Sequence, residues 1–195
     1  MTFSSSSPYS IESSMPGATY NFSRELIRTL KNRTSASAFT EIVVLCIGTD
    51  RSTGDCLGPL VGDKLSKKYM LQRVNVLGTL NDPVHAKNIE LNIKNIYKEF
   101  KAPIVIAVDA SLGKSENIGK INLFSGPLYP GSGVNKNIMP VGDISITGIV
   151  NISGLMEYIV LQNTRLAVVM QMADIISLAL YMSLRNFIIN DYIIS

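Results

Sequence analysis

Two acids, Asp50 and Asp55, stand in the glycine-bounded segment "GTDRSTGDCLGP" (48–59), directly after the apolar run Ile42-Val43-Val44-Leu45. A loop that holds carboxylates at the end of a buried strand can cradle a phosphate, hold a metal, activate water or merely turn the chain. A third acid, Asp109, closes a second apolar run, "IVIAVD" (104–109). Carboxylates at buried strand ends are costly without partners, which favours a functional role for them. The only histidine, His85, lies in "GTLNDPVHAKN" (78–88), after a further apolar segment. A lone histidine early in a helix is ordinarily a polar or capping residue. Beside two acids it becomes a third candidate, as proton carrier or metal ligand.

Several chemistries are disfavoured by the same residues. A P-loop needs four residues between its glycines, followed by Gly-Lys-Ser/Thr. Here five residues separate Gly48 from Gly54, and Asp55 stands where the lysine would be. A carboxylate there would repel a phosphate. Ser111 follows Asp109 in "VDASLG", which is not the GxSxG of a nucleophile elbow, so Ser111 is assigned a supporting place and not a nucleophilic one. Cys56 adjoins an expected helix N-terminus, which would lower its pKa, but no cysteine-enzyme motif surrounds it. Asp50 reads as a turn residue that bonds its own backbone. Asp143, in "VGDISITG" (141–148), is a reserve candidate in a segment expected to line the cleft or a subunit contact.

The elements that must position these groups alternate. "EIVVLCIG" (41–48) has the continuous apolar character of a central parallel strand, and "LGPLVGDKLSKKYM" (57–70) has helical spacing with Pro59 in the first turn. "VNVLGTL" is a second strand, "HAKNIELNIKNIYKEF" an amphipathic helix, "APIVIAVDAS" a third strand and "GKINLFSG" a fourth. A short strand "ISITGIV", a helix at about 153–163, a strand "RLAVVMQMA" and a helix at 174–189 complete the expectation. A helix with Ser23 as its cap is expected in "FSRELIRTLKNR", after a Ser-rich arm over residues 1–20 that is disordered. Strand–helix–strand order predicts a mostly parallel sheet with helices on both faces, in one α/β domain over residues 21–195. If the first and third strands are neighbours, Asp55 and Asp109 converge at the carboxyl edge where the winding reverses.

Composition bounds the class. The 195 residues are 46% hydrophobic, which suits a folded protein with one sizeable core. A net charge of +3, from 18 basic and 15 acidic residues, gives no dense basic stripe for nucleic acid. Two cysteines without CxxC spacing suit a reducing cytoplasm. The greasiest stretch carries Ser177, Ser183, Arg185 and Asn186, and is expected to be a buried helix and not a membrane span.

Taken together, "GTDRSTGDCLGPLVGDKL", "GTLNDPVHAKN", "VDASLG" and "VGDISITGIVNISG" resemble the YyaC-type sporulation proteins of spore-forming Firmicutes, from about residue 41 onward. More distantly, "GTDRSTGDCLGP" and "VDAS" are similar to the acid-bearing loops of the spore germination protease and the hydrogenase maturation proteases. The resemblance implies a three-layer phosphorylase/hydrolase-like α/β fold and a spore-associated peptidase acting on a protein or peptide. Asp55 and Asp109 match the two acids assigned to catalysis in the germination protease. In the hydrogenase maturation pattern the same positions match acids that contact nickel, together with a histidine that lies later in the chain than His85. A divalent metal on Asp55, Asp109 and His85 is therefore not favoured. The expected protein is cytoplasmic, in the sporulating cell or spore. The rival expectation is a non-catalytic sporulation protein that binds a partner peptide or a metal in the same cleft.

Overall fold

The computed structural model describes residues 8–34, 39, 41–130 and 139–189. Its strands are β1 (Tyr9–Glu12), β2 (Glu41–Cys46), β3 (Val74–Leu77), β4 (Pro103–Gly113), β5 (Lys120–Ser125) and β6 (Ile144–Ile152). Its α-helices are α1 (Ala18–Thr34), α2 (Leu57–Lys68), α3 (Ile89–Glu99), α4 (Glu157–Gln162) and α5 (Leu166–Ile189). The six strands form one sheet in the order β1-β5-β6-β4-β2-β3. Pairings β3–β2, β2–β4 and β4–β6 are parallel, while β5 runs antiparallel to both β6 and β1.

The apolar runs explain the layering. Side chains alternate across a strand. In β2, Ile42, Val44 and Cys46 enter one core with residues of α1, α2 and α5, whereas Val43 and Leu45 enter a second core with Ile89, Ile93 and Ile96 of α3. Both faces of the central strands are thus covered, which is why β2 reads as unbroken hydrophobic sequence. The fold is the expected mixed α/β architecture, a mostly parallel sheet with helices on both faces. Because α2 and α3 lie on opposite faces, and β3 and β4 flank β2, the winding reverses between the neighbouring strands β2 and β4. Their carboxyl ends bound the crevice where such sheets bind ligands.

Three expectations are corrected. The arm at residues 1–20 is not disordered where it is described. Tyr9–Glu12 pair with Lys120–Leu123 as β1, Ile11 is buried, and α1 begins at Ala18; residues 1–7 lie outside the described residues. The "YSIE" alternation, with Ile11 facing in, supplies the apolar anchor that serine content obscured. Ser23 is not a cap but a buried residue inside α1, where its Oγ and carbonyl accept from Ser183 Oγ of α5, each at 3.1 Å. The segment "RLAVVMQMA" is not a strand. It forms the start of α5, whose buried Val169, Met172, Ala173, Ile176, Leu180, Leu184 and Phe187 keep a helical period throughout. Long and apolar enough to span a bilayer by composition, α5 instead packs along α1 and α2.

Candidate active site

The Gly48–Cys56 loop is held down at both ends. Ile47 N–H donates to the Val108 carbonyl at 2.7 Å, and Gly48 N–H donates to the Val84 carbonyl at 2.8 Å. Thr49 N–H donates to the Asp55 carbonyl at 3.2 Å, which folds the loop back on its origin. Gly48, at φ +139°, could not carry a side chain, since a Cβ would stand 1.9 Å from the Asp55 carbonyl oxygen. From the other side, Gly54 N–H donates to the Leu161 carbonyl of α4 at 2.8 Å. These contacts fold Asp55 back against Gly48 and Thr49, just beyond the end of β2, whose Cys46 pairs with Val108, the residue before Asp109.

Asp55 and Asp109 therefore share one cleft. A lobe of about 720 Å³ extends over β4, β5 and β6, lined by Ser111, Asn122, Ser145, Thr147 and Glu157 among others. A second lobe of about 470 Å³ lies between the Gly48–Cys56 loop and the His85 turn. Asp55, Asp109 and Leu161 border both lobes, so the two carboxyls stand at the junction. Asp109 is buried, and its Oδ1 accepts a hydrogen bond from Ala110 N–H at 2.8 Å. Burial, and then the negative charge of Asp55, hold the Asp109 carboxyl well above the ordinary carboxylate range. Burial also raises Asp55, opposed by the Thr49 backbone N–H and by His85. Like charges in a dry site do not both ionise cheaply, so this pair can retain a proton between them.

The structure brings some candidates together and separates others. His85 faces the cleft, fixed by Asn88: His85 N–H donates to Asn88 Oδ1 at 2.8 Å, and the Asn88 and Ile89 amides donate to the His85 carbonyl at 3.0 Å. Ser111 lines the larger lobe, with its hydroxyl donating to the Gly148 carbonyl at 3.3 Å. Asp143 is elsewhere, a correction to its place as reserve candidate. It precedes β6 at the amino edge, accepts Val105 N–H at 3.0 Å and is paired with Arg33 at 2.7 Å. Val105 and Asp109 are four residue steps apart along β4, about 13 Å of strand. Cys56 does not have the lowered pKa expected of a helix N-terminus: burial, Asp55 and Asp50 raise its thiol.

Sequence reasoning missed Asn122, Thr147, Glu157 and Leu161, which meet only through pairing and packing. Asn122 sits opposite Thr147 on β5 and β6, and Thr147 sits opposite Asp109. The "ISIT" alternation was the available signal, since it places Ser145 and Thr147 two residues apart on one face.

Comparison with known proteins follows the same residues. The family described as a protein of unknown function (DUF1256) matches residues 13–179. The chain belongs to this family. Among curated proteins, the uncharacterized protein YyaC of Bacillus subtilis (strain 168) is 59% identical over 136 residues, 70% of this chain and 66% of that protein. The chain thus aligns with about two thirds of the length of this relative. Among solved structures, the NiFe hydrogenase maturation protease HycI from Thermococcus kodakarensis KOD1 superimposes with a TM-score of 0.53. That superposition covers 77% of this chain and 96% of the other at 21% identity, which establishes a shared phosphorylase/hydrolase-like fold.

The nickel centre that the resemblance implies can be tested on the donor set. Among the described residues no three His, Cys, Asp or Glu side chains are grouped to hold a metal ion. His85 Nδ1 accepts Lys87 N–H at 3.3 Å, leaving only Nε2, and one Asp109 oxygen is bonded to Ala110 N–H. The described residues of this DUF1256 protein do not fit a three-ligand metal centre built on Asp55, Asp109 and His85.

Proposed function

We propose that this DUF1256 protein is a peptidase in which Asp55 and Asp109 divide the acid and base roles. The observation that carries this reading is the convergence of two carboxyls, one from the loop that follows β2 and one from the neighbouring parallel strand β4, at the junction of a two-lobed cleft. Their environments push the two apart in role. Asp109, the more deeply buried and facing a second acid, is the group that holds a proton. Asp55, beside the Thr49 N–H and His85, is the group that ionises first. In hydrolysis, Asp55 takes a proton from water as its oxygen attacks the scissile carbonyl carbon. Asp109 delivers its proton to the departing amine nitrogen, and the pair is reset when the proton that Asp55 took from water passes to Asp109. His85 and Ser111 border the reacting groups as supporting residues.

The spore setting is part of the proposal and rests on the motif resemblance. A cytoplasmic location in the sporulating cell or spore accords with two free, buried cysteines. A rival, non-catalytic role in binding a partner peptide is favoured by one observation: Leu155, Met156, Tyr158 and Ile159 expose apolar surface on and before α4, beside the cleft.

Incubation with small acid-soluble spore proteins and spore-coat proteins, followed by mass spectrometry of the products, separates the two. The wild-type protein is expected to generate defined fragments. Asp55→Asn and Asp109→Asn should each lower the rate at least ~100-fold, the lower bound of general acid–base contributions, with unchanged circular dichroism. Saturable binding without any cleavage would establish the binding role instead.

A further inference from the structure

The smaller lobe carries groups that the acid pair does not use. Arg51, Ser52 and Lys87 all line it. Neither the Arg51 guanidinium nor the Lys87 ammonium forms an ion pair among the described residues. Nor do they account for the state of the acids: the groups that oppose the rise at Asp55 are the Thr49 backbone N–H and His85, and the charge that acts on Asp109 is Asp55. Ser52 is 8% exposed, and its Oγ has no hydrogen-bond partner. A buried hydroxyl left unbonded is costly, and the cost is relieved when a χ1 turn meets an entering acceptor. Ile47, Ile89, Pro130 and Leu161 supply an apolar floor, and Thr49, His85 and Tyr158 also line the lobe. Two uncommitted cations and an unsatisfied hydroxyl around an apolar floor suit a monoanion on an alkyl stem. The acid pair at the lobe's inner end disfavours a multiply charged group such as phosphate.

Resting on the peptidase reading, we propose that this lobe is the specificity subsite for a carboxylate of the peptide substrate, held by Arg51 and Lys87 with Ser52 as hydroxyl donor. Arginine suits the task because its planar fork meets both carboxylate oxygens. The carboxylate comes either from an acidic side chain or from the peptide's own terminus, and the chemistry of recognition is the same. Peptide approaching this lobe is placed with its backbone against Asp55 and Asp109, so the subsite would fix which bond lies over the pair.

The test is binding, read by fluorescence anisotropy with three dye-labelled alanine-rich decapeptides. One carries a central Glu and a C-terminal amide, one a central Gln and an amide, and one a central Gln and a free carboxylate. Tighter binding, by about tenfold, is expected for one carboxylate peptide over the Gln amide, and the peptide that gains identifies the source. Arg51→Gln and Lys87→Gln should each remove most of that gain, about tenfold or 1.4 kcal/mol, while changing the Gln amide by less than about twofold. Ser52→Ala should weaken the same peptide by a smaller factor. Equal binding of all three peptides, or no binding of any up to about 1 mM, overturns the subsite. Hydrolysis is followed in parallel. Carboxylate-dependent binding without cleavage keeps the subsite and sinks the peptidase reading. Cleavage indifferent to carboxylate and to Arg51→Gln does the reverse.

Discussion

The Asp109 carboxyl is raised in the folded state by burial and by Asp55, so folding there is linked to proton uptake. The folded protein binds a proton at pH values where the unfolded chain, with an ordinary value of 3.8, has released it. Stability from this group is therefore fully present below the unfolded value and is lost as pH rises through the raised folded value. Thermal melts from about pH 4 to about pH 8 should show the melting temperature of the wild type falling relative to that of Asp109→Asn. The variant keeps the side chain's size, removes the buried charge and should be the more stable protein at neutral pH. Asp50→Asn, at an exposed turn position, should track the wild type across the range. Parallel curves for wild type and Asp109→Asn would show that Asp109 is not the buried acid of the pair.

Helix α2 sets where Asp55 can stand, because it begins at Leu57, two residues later. Its glycines allow a backbone-to-backbone approach that no other residue permits. A Cβ on Gly58 would lie 2.1 Å from the Ile47 carbonyl oxygen, and one on Gly62 2.1 Å from the Gly78 carbonyl oxygen. Both obstacles are backbone and cannot rotate away. Gly62→Ala should therefore cost ~3 kcal/mol, at the upper end of overpacking, measured by urea unfolding. By tilting α2 off β2 and β3, it should also displace Asp55 and lower any turnover along with stability. An alanine variant as stable as the wild type would mean that the helix has room to move, and that the close approach does not position the acid.

At the scale of the whole molecule, the sheet is closed on its far edge by a strand from the N-terminal segment. β1 pairs with β5 over Tyr9–Glu12, and Ile11 enters the core shared by α1 and α5. Gln171 of α5 adds a donor to the Ser13 carbonyl at 3.0 Å. The segment is thus an integral edge of the domain. Ile11→Ala is expected to lower stability by ~2 kcal/mol, the low end for a buried isoleucine near a sheet edge. Chemical denaturation gives the value directly, and a change within error of zero would mean that β1 adds nothing to the stability of the domain.

The sequence alone determined the sheet's core, the acid-bearing loop and the two acids. Unbroken apolar runs such as Ile42–Leu45 and Ile104–Val108 have few alternatives to a strand covered on both faces, and a charged residue closing such a run is conspicuous. Local pattern was ambiguous where one hydrophobic stretch serves two periods: Leu166–Ala173 satisfied a buried strand as well as a helix, and only packing against α1 and α2 resolved it. Tertiary structure alone decided the β1–β5 pairing, the separation of Asp143 from the cleft, and the meeting of Thr147, Asn122 and Leu161 around Asp109. Those facts depend on register between segments far apart in the chain, and a strand pairing leaves no mark on either partner's spacing.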